Sequence, residues 1–221
     1  MLARSLPRYI PSVFASSSRR PWEASYEATD PTVDSQIVTL WGSGVDTLIV
    51  AATPKFASMA IRKVADVNWK PLFFLSGAST SVSNVIKPAG FDKAVGIISG
   101  GHAKDATDPA WKDDPGMNEW RDFMRQYMPD ANPTDSNLVY AYNSALTLVQ
   151  VLKQCGDDLS RENIMRQATN LHDLALPTLL PGITVNTSPT NYHPVAQLQL
   201  QRWNGETWER FGTIEKAGGA S

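Results

Sequence analysis

Between Ser25 and Ser99 the chain alternates short, nearly continuous apolar runs with stretches whose apolar residues recur at helical spacing, and no other feature constrains its fold as much. Val45–Ala52 is the clearest run. It holds Val45, Leu48, Ile49 and Val50, and reads as a strand covered on both faces of a parallel sheet. Pro71–Ser76 and Ala94–Ser99 repeat the signal, and Ser25–Thr29 is a shorter strand candidate. The intervening segments read as helices. Asp30-Pro31 supplies an N-cap and first helical residue, with Val33, Ile37, Leu40 and Trp41 on one face and Gly42 and Gly44 as the stop. Thr53-Pro54 opens a second helix, with Phe56, Ala60, Ile61 and Val64 on one side, and a short helix is expected near Ser81 to Lys87. Strand–helix alternation with short connections predicts an open parallel α/β sheet with right-handed crossovers.

The second half is organised differently. Gly101 to Gly116 is polar and irregular, and Asp114-Pro115 opens a helix bearing Met117, Trp120, Met124 and Tyr127. A break at Pro129 to Asp135 precedes a long helix, about Ser136 to Gln154, with a predicted stripe of Leu138, Tyr142, Ala145, Val149 and Leu152 and Gly156 as its C′ stop. Ser160 caps a further helix with Ile164, Ala168 and Leu171. The end reads as β: Gly182 to Asn186, then Ala196 to Trp203 and Glu206 to Gly212 about a type I′ turn at Asn204-Gly205. The tail from Lys216 to Ser221 is expected to fray.

Composition excludes several classes of function. The formal net charge is -2, which offers nothing to a nucleic acid, and 42% hydrophobic with 19% charged residues is ordinary for a globular protein. No apolar run approaches the roughly 20 residues that cross a bilayer. The single cysteine, Cys155, excludes an internal disulfide and a Cys-rich zinc site, and reads as a small buried apolar residue. Residues 1–20 carry Arg4, Arg8, Arg19 and Arg20 with no acid. Arg8 and Pro11 interrupt the apolar stretch that a secretory signal needs, so no signal peptide is recognisable. The segment is compatible with an organellar transit peptide, or with a disordered or foreign leader before a domain whose own beginning is missing.

No catalytic or metal-binding constellation assembles. His102, His172 and His193 lie in separate segments without partners at metal spacing. Neither Gly42-Ser43-Gly44 nor Ser76-Gly77 forms a nucleophile elbow. Asp105, Asp108, Asp113 and Asp114 lack the spacing and closing Glu of a calcium loop, and read as a solvated loop. No phosphate-binding glycine motif is present. The expectation is a protein without catalytic residues, metal or cofactor. What remains is a set of small polar residues after the buried strands: Thr53 behind the first, and Ser76, Gly77, Ser79 and Thr80 behind the second. Open α/β sheets hold small ligands just beyond these strand ends, where hydroxyls and helix N-terminal N–H groups suit a carboxylate. Thr53 could equally serve only to cap its helix.

Several stretches together resemble the branched-chain amino-acid (Leu/Ile/Val-binding) family of solute-binding proteins of ABC transporters. They are Asp30–Leu40, Gly44–Val50, Ala60-Ile-Arg-Lys63 leading to Trp69-Lys-Pro71, Val139–Leu146, and Leu198 to Phe211. The resemblance spans roughly residues 23–213 and rests on the order of the segments rather than on any one of them. It implies the type I periplasmic-binding-protein fold, two α/β lobes that close on a small solute and present it to a membrane permease, and a periplasmic location. It also implies a first lobe that is incomplete here: residues 1–24 as a leader, 25–101 as second-lobe α/β unit, and 102–221 as crossover, first-lobe helices and C-terminal hairpin.

Carried over by position, the resemblance implies ligand contacts at Ala52, Thr53, Leu75, Ser76, Gly77 and Ala78, with a first-lobe contact at Leu138. Amino-acid binders of the family set an acid against the ligand ammonium at about Leu75 or Ser76, and this chain has none there. The partners implied are therefore an ABC permease and a small solute, which is an amino acid, an amide or a carboxylic acid. A ligand-sensing receptor domain of the same fold, or an inactive fragment, are the alternatives. With part of the first lobe missing, the chain alone is expected to bind weakly and to associate through uncovered apolar surface.

Overall fold

The computed structural model describes residues 22–216; the expected leader and fraying tail fall almost wholly outside them. The chain divides into two compact units, one running to Ser99 and including Arg202–Glu206, the other comprising Gly100–Gln201 and the chain from Thr207. Among the described residues five strands follow the order β1-β2-β3-β4-β5, namely Thr47–Val50, Leu72–Leu75, Ile98–Gly101, Gln197–Trp203 and Trp208–Lys216.

In the first unit β1, β2 and β3 pair in parallel, with Val50 opposite Leu75 and Leu75 opposite Ser99. Helix α1 (Asp34–Gly42) precedes β1, and α2 (Pro54–Asp66) crosses from β1 to β2. The α2 face predicted from periodicity is the buried one: Phe56, Ala60, Ile61 and Val64 are all enclosed, with Ala57 between them. The segment after β2 forms a 3₁₀ turn (Gly77–Ser79), then a π-helical turn (Val82–Ile86) that runs into the short α3 (Lys87–Ala89). Trp203 closes the unit from the far end of the chain. It is fully buried, its indole N–H donates to Phe91 O (3.0 Å), and its backbone bonds Gly96 and Ile97.

Several local expectations fail here for identifiable reasons. Ser25–Thr29 is not a strand; Tyr26 turns inward instead, its ring 4.4 Å from that of Phe56. Asp30 does not cap α1 but accepts the Glu27 N–H (2.9 Å) in a preceding turn, and the helix begins at Asp34. Trp41 faces solvent rather than joining Ile37 and Leu40. β1 is covered on one face only: Leu48 and Val50 are buried while Ile49 is exposed, the alternation of a strand with one open face. β3 starts at Ile98 rather than Ala94: Gly96, at a positive φ of 90°, belongs to the turn that precedes the strand.

The second unit holds α4 (Pro115–Tyr127), α5 (Ser136–Cys155), α6 (Arg161–Ala168), most of β4 and all of β5. Its core gathers Trp111, Met117, Trp120, Met124, Val139, Tyr142, Val151, Leu171 and Leu179 among others. Caps form where expected: Asp114 accepts the Met117 N–H and Ser160 the Asn163 N–H, while Gly156 ends α5 at φ 60°. Tyr127, predicted for the buried α4 face, is exposed. The predicted α5 stripe is rotated: Val139, Tyr142, Val151 and Cys155 are buried, whereas Ala145, Val149 and Leu152 point to solvent. Gly182–Asn186 makes an isolated bridge, Leu174 to Val185, and no strand. Residues 204–207 connect β4 to β5 without a type I′ turn, since only Gly205 has positive φ and Asn204 instead accepts the Glu206 N–H.

One buried ion pair organises this unit. Lys104 is 7% exposed; its ammonium donates to Asp114 Oδ1 and to Pro177 O, both at 2.8 Å. The Asp114 carboxyl is held below its ordinary range: burial works against this, but the Lys104 hydrogen bond, the Met117 and Gly116 N–H groups and the Lys104 charge outweigh it. A folded value below the unfolded value of about 3.9 means the contribution is complete above that pH and is lost as pH falls through the folded value. Lys104→Met should therefore cost about 1–3 kcal/mol in urea unfolding at pH 7, because the half-buried Asp114 carboxylate loses its ammonium partner and Pro177 O its donor. The deficit should shrink as the buffer is taken below about pH 4. A loss that stays the same at low pH would show that Lys104 acts through packing alone.

Candidate functional site

Six of the seven expected contact residues meet at one end of the first unit's sheet. The parallel register sets Val50 beside Leu75, so both chains leave the sheet together, and the Ser76 N–H donates to Val50 O (2.9 Å). Ala52-Thr53 and Leu75–Ala78 consequently form adjoining segments at the carboxyl ends of β1 and β2. Ser79 ties them: wholly buried, its hydroxyl donates to Ala52 O. Ser99 supports them from β3, donating to Leu75 O at 2.6 Å. Ala52 and Leu75 are buried, Ser76 and Gly77 half-buried, Thr53 and Ala78 exposed.

The polar groups here are poised rather than consumed. Thr53 occupies the N-cap position of α2 in extended backbone, yet its side chain makes no cap hydrogen bond. Its own N–H donates to the Tyr26 hydroxyl (2.9 Å). Ser76 Oγ accepts the Ala78 N–H over a long 3.4 Å, which leaves the hydroxyl proton to donate elsewhere. The six residues thus offer two hydroxyls and the start of a 13-residue helix. None of the six is acidic. This surface can hold an anionic or neutral oxygen; it supplies no charge to an ammonium.

Leu138, the seventh, lies in the other unit, half-buried in the first turn of α5 against that unit's core. Tyr26 and Ser99 are the supports that sequence reasoning left out of the site. Tyr26 gave no signal, its segment reading as a strand, whereas Ser79, expected among the small polar residues behind the second strand, is wholly buried with its hydroxyl given to Ala52 O. The second unit also contains an open recess of about 220 Å³ lined by Trp111, Leu180, Pro181, Gln199, Arg210 and Gly212. Arg210 stacks there on Trp111, its guanidinium carbon 4.5 Å from the ring centroid, with Asp108 3.8 Å away. Trp111 and Arg210 are distant in sequence, so nothing local announced their pairing. His102 packs 5.1 Å from the Tyr140 ring, and burial lowers its pKa and favours the neutral imidazole. Among the described residues no group of three His, Cys, Asp or Glu is placed to hold a metal, and no helix is long and apolar enough to cross a membrane.

A parallel α/β sheet with small polar residues at its strand ends is an arrangement that can hold a small solute. The family model described as periplasmic binding protein matches residues 21–207, and the chain belongs to that family, one of binding proteins rather than catalysts. No curated protein sequence matches it. Among solved structures, a branched-chain amino-acid ABC transporter protein from Thermus thermophilus with bound valine superposes with a TM-score of 0.73 at 12% identity, over 88% of this chain and 52% of its own. A leucine-binding protein from Thermotoga maritima gives 0.60 at 11%, covering 87% and 51%. A fatty-acid ABC transporter substrate-binding protein from Thermomonospora curvata gives 0.60 at 18%, covering 88% and 49%. The fold is that of the type I periplasmic binding proteins, and the chain spans about half the length of these structures.

The contrast between Thr53 and Ser79 is testable. Thr53→Ala should leave unfolding free energy within about 0.5 kcal/mol, because the side chain is exposed and caps nothing. Ser79→Ala should cost about 1 kcal/mol or more by stranding Ala52 O. Chemical denaturation of both variants checks this; equal losses would mean that Thr53 is a structural cap.

Proposed function

We propose that the chain captures a small carboxylic acid or amide related to the branched-chain amino acids, in preference to the free amino acids, as the substrate-binding component of an ABC-type importer in the periplasm. Membership in the periplasmic binding protein family supports the class, and resemblance to the transporter proteins described above supports the permease as its partner. The observation that carries the reading is the hydrogen-bonded junction of Ala52-Thr53 with Leu75–Ala78, where the hydroxyls of Thr53 and Ser76 stand at the sheet's carboxyl edge. Leu138 is the contact proposed for the other lobe. The domain roles follow the same reading, with residues 25–101 as second-lobe unit and 102–221 as crossover and first-lobe helices.

The solute class follows from charge. A ligand carboxylate or amide oxygen accepts from Thr53, Ser76 and the N–H groups at the start of α2. A ligand ammonium meets no acid among these residues, and an unpaired charge in a closed cleft costs several kcal/mol. Calorimetric titration of the protein with leucine, 4-methylpentanamide and 4-methylpentanoate should rank the acid or amide above leucine. Ser76→Glu should reverse that order, since a charge-assisted hydrogen bond to the ammonium contributes about 1.5–3 kcal/mol. Tight leucine binding by the unaltered protein would place the ammonium's partner elsewhere and refute the reading.

A further inference from the structure

Asn204-Gly205 is the single place in the chain where glycine follows asparagine. The pair lies between β4 and β5, with Asn204 exposed and Gly205 half-buried. Three local features bear on its chemistry. The Gly205 N–H donates to nothing among the described residues, so no hydrogen bond holds its nitrogen. Gly205 has no Cβ and a φ of 110°, so no side chain of its own stands beside that nitrogen. Asn204 Oδ1 accepts the Glu206 N–H at 2.8 Å, which polarises the side-chain amide and sets a donor where negative charge gathers when its carbon is attacked.

We propose that Asn204-Gly205 is a self-modification site whose product loosens the Trp203 closure of the first unit. The Gly205 nitrogen bonds to Asn204 Cγ as its proton passes to water. The Cγ–Nδ2 bond breaks, and the side-chain amide leaves as ammonia. Water then opens the resulting cyclic imide at one of its two carbonyls, and nothing is oxidised or reduced. Opening at the side-chain carbonyl leaves aspartate; opening at the former backbone carbonyl leaves isoaspartate, with the chain running through Cβ. Trp203 stands immediately before this residue. It is fully buried, gives its indole N–H to Phe91 O (3.0 Å) and its backbone N–H to Ile97 O (2.9 Å), and accepts the Gly96 N–H (2.9 Å). Isoaspartate puts one more atom into the backbone directly after that anchor. The reaction is confined to two neighbouring residues, so it needs no partner surface, and neither residue belongs to the proposed solute contacts.

Peptide mapping by mass spectrometry, with labelling by a protein isoaspartyl methyltransferase, tests this on the full chain stored folded in mildly alkaline buffer. Isoaspartate should accumulate at residue 204 with release of ammonia, and faster as pH rises, because the attacking nitrogen must shed its proton. Asn204→Gln, whose longer side chain has to close a larger ring, should lose the signal. Asn137 and Asn170, both exposed and each followed by leucine, should stay amides. The isoaspartate fraction, separated by ion exchange, should melt roughly 2–4 °C below the unaltered protein. Freshly purified Asn204→Asp, which brings the charge without the extra backbone atom, should melt with the unaltered protein. Residue 204 staying an amide in the folded chain while the urea-unfolded chain converts would overturn the proposal, as would equal conversion at Asn137 and Asn170. So would an isoaspartate form that melts no lower, or an Asn204→Asp protein that melts as low as that form, since neither outcome leaves a role for the backbone beside Trp203.

Discussion

The parallel pairing of β1 with β2 is the constraint on which the candidate site depends. Because Val50 stands opposite Leu75, the backbone must turn out of both strands at the same level, and the Ser76 N–H is committed to Val50 O. The two exits can then be joined by a single short side chain, Ser79, whose hydroxyl reaches Ala52 O. A register slip of one residue would exchange the buried and open faces of the strand, sending Leu48 and Val50 outward. The polar cluster exists only in this register.

α2 enforces that register. Its Phe56, Ala60, Ile61 and Val64 face lies in the core, and the helix touches α1, the Gly77–Ser79 turn, the π-helical turn and α3. Pro54 at the first helical position starts it at little cost, and Thr53 is left at the cap position with an uncommitted side chain. In the second unit the equivalent organiser is polar. Lys104 joins the capping residue of α4 to Pro177 O, and Gly116 allows that approach, since a Cβ there would come within 2.1 Å of the same carbonyl.

How much was legible in the sequence varied with how strongly a segment was one-sided. The α2 face, the Asp114 and Ser160 caps and the strands at 47–50 and 72–75 were readable because propensity, pattern and punctuation agreed. The α5 stripe was not. A helix with one charge in 20 residues has apolar side chains all round, and periodicity alone cannot choose the face that will be covered. Ser25–Thr29 was misread because Tyr26 packs on Phe56 and accepts the Thr53 N–H instead of entering the sheet. That six of the expected contact residues would lie together followed from strand-end logic and the family resemblance. Tyr26 and Ser99 were hidden because their roles arise from tertiary proximity, not from local pattern.

The central claim is that solute binds at the carboxyl ends of β1 and β2. Backbone amide chemical shifts, followed by NMR as a small carboxylate or amide is titrated in, test it most directly. The account predicts saturable shifts confined mainly to the amides of Thr53, Lys55, Ser76, Gly77 and Ala78. Shifts centred instead on the recess of Trp111, Gln199 and Arg210, with residues 53 and 76–78 unmoved, would contradict it.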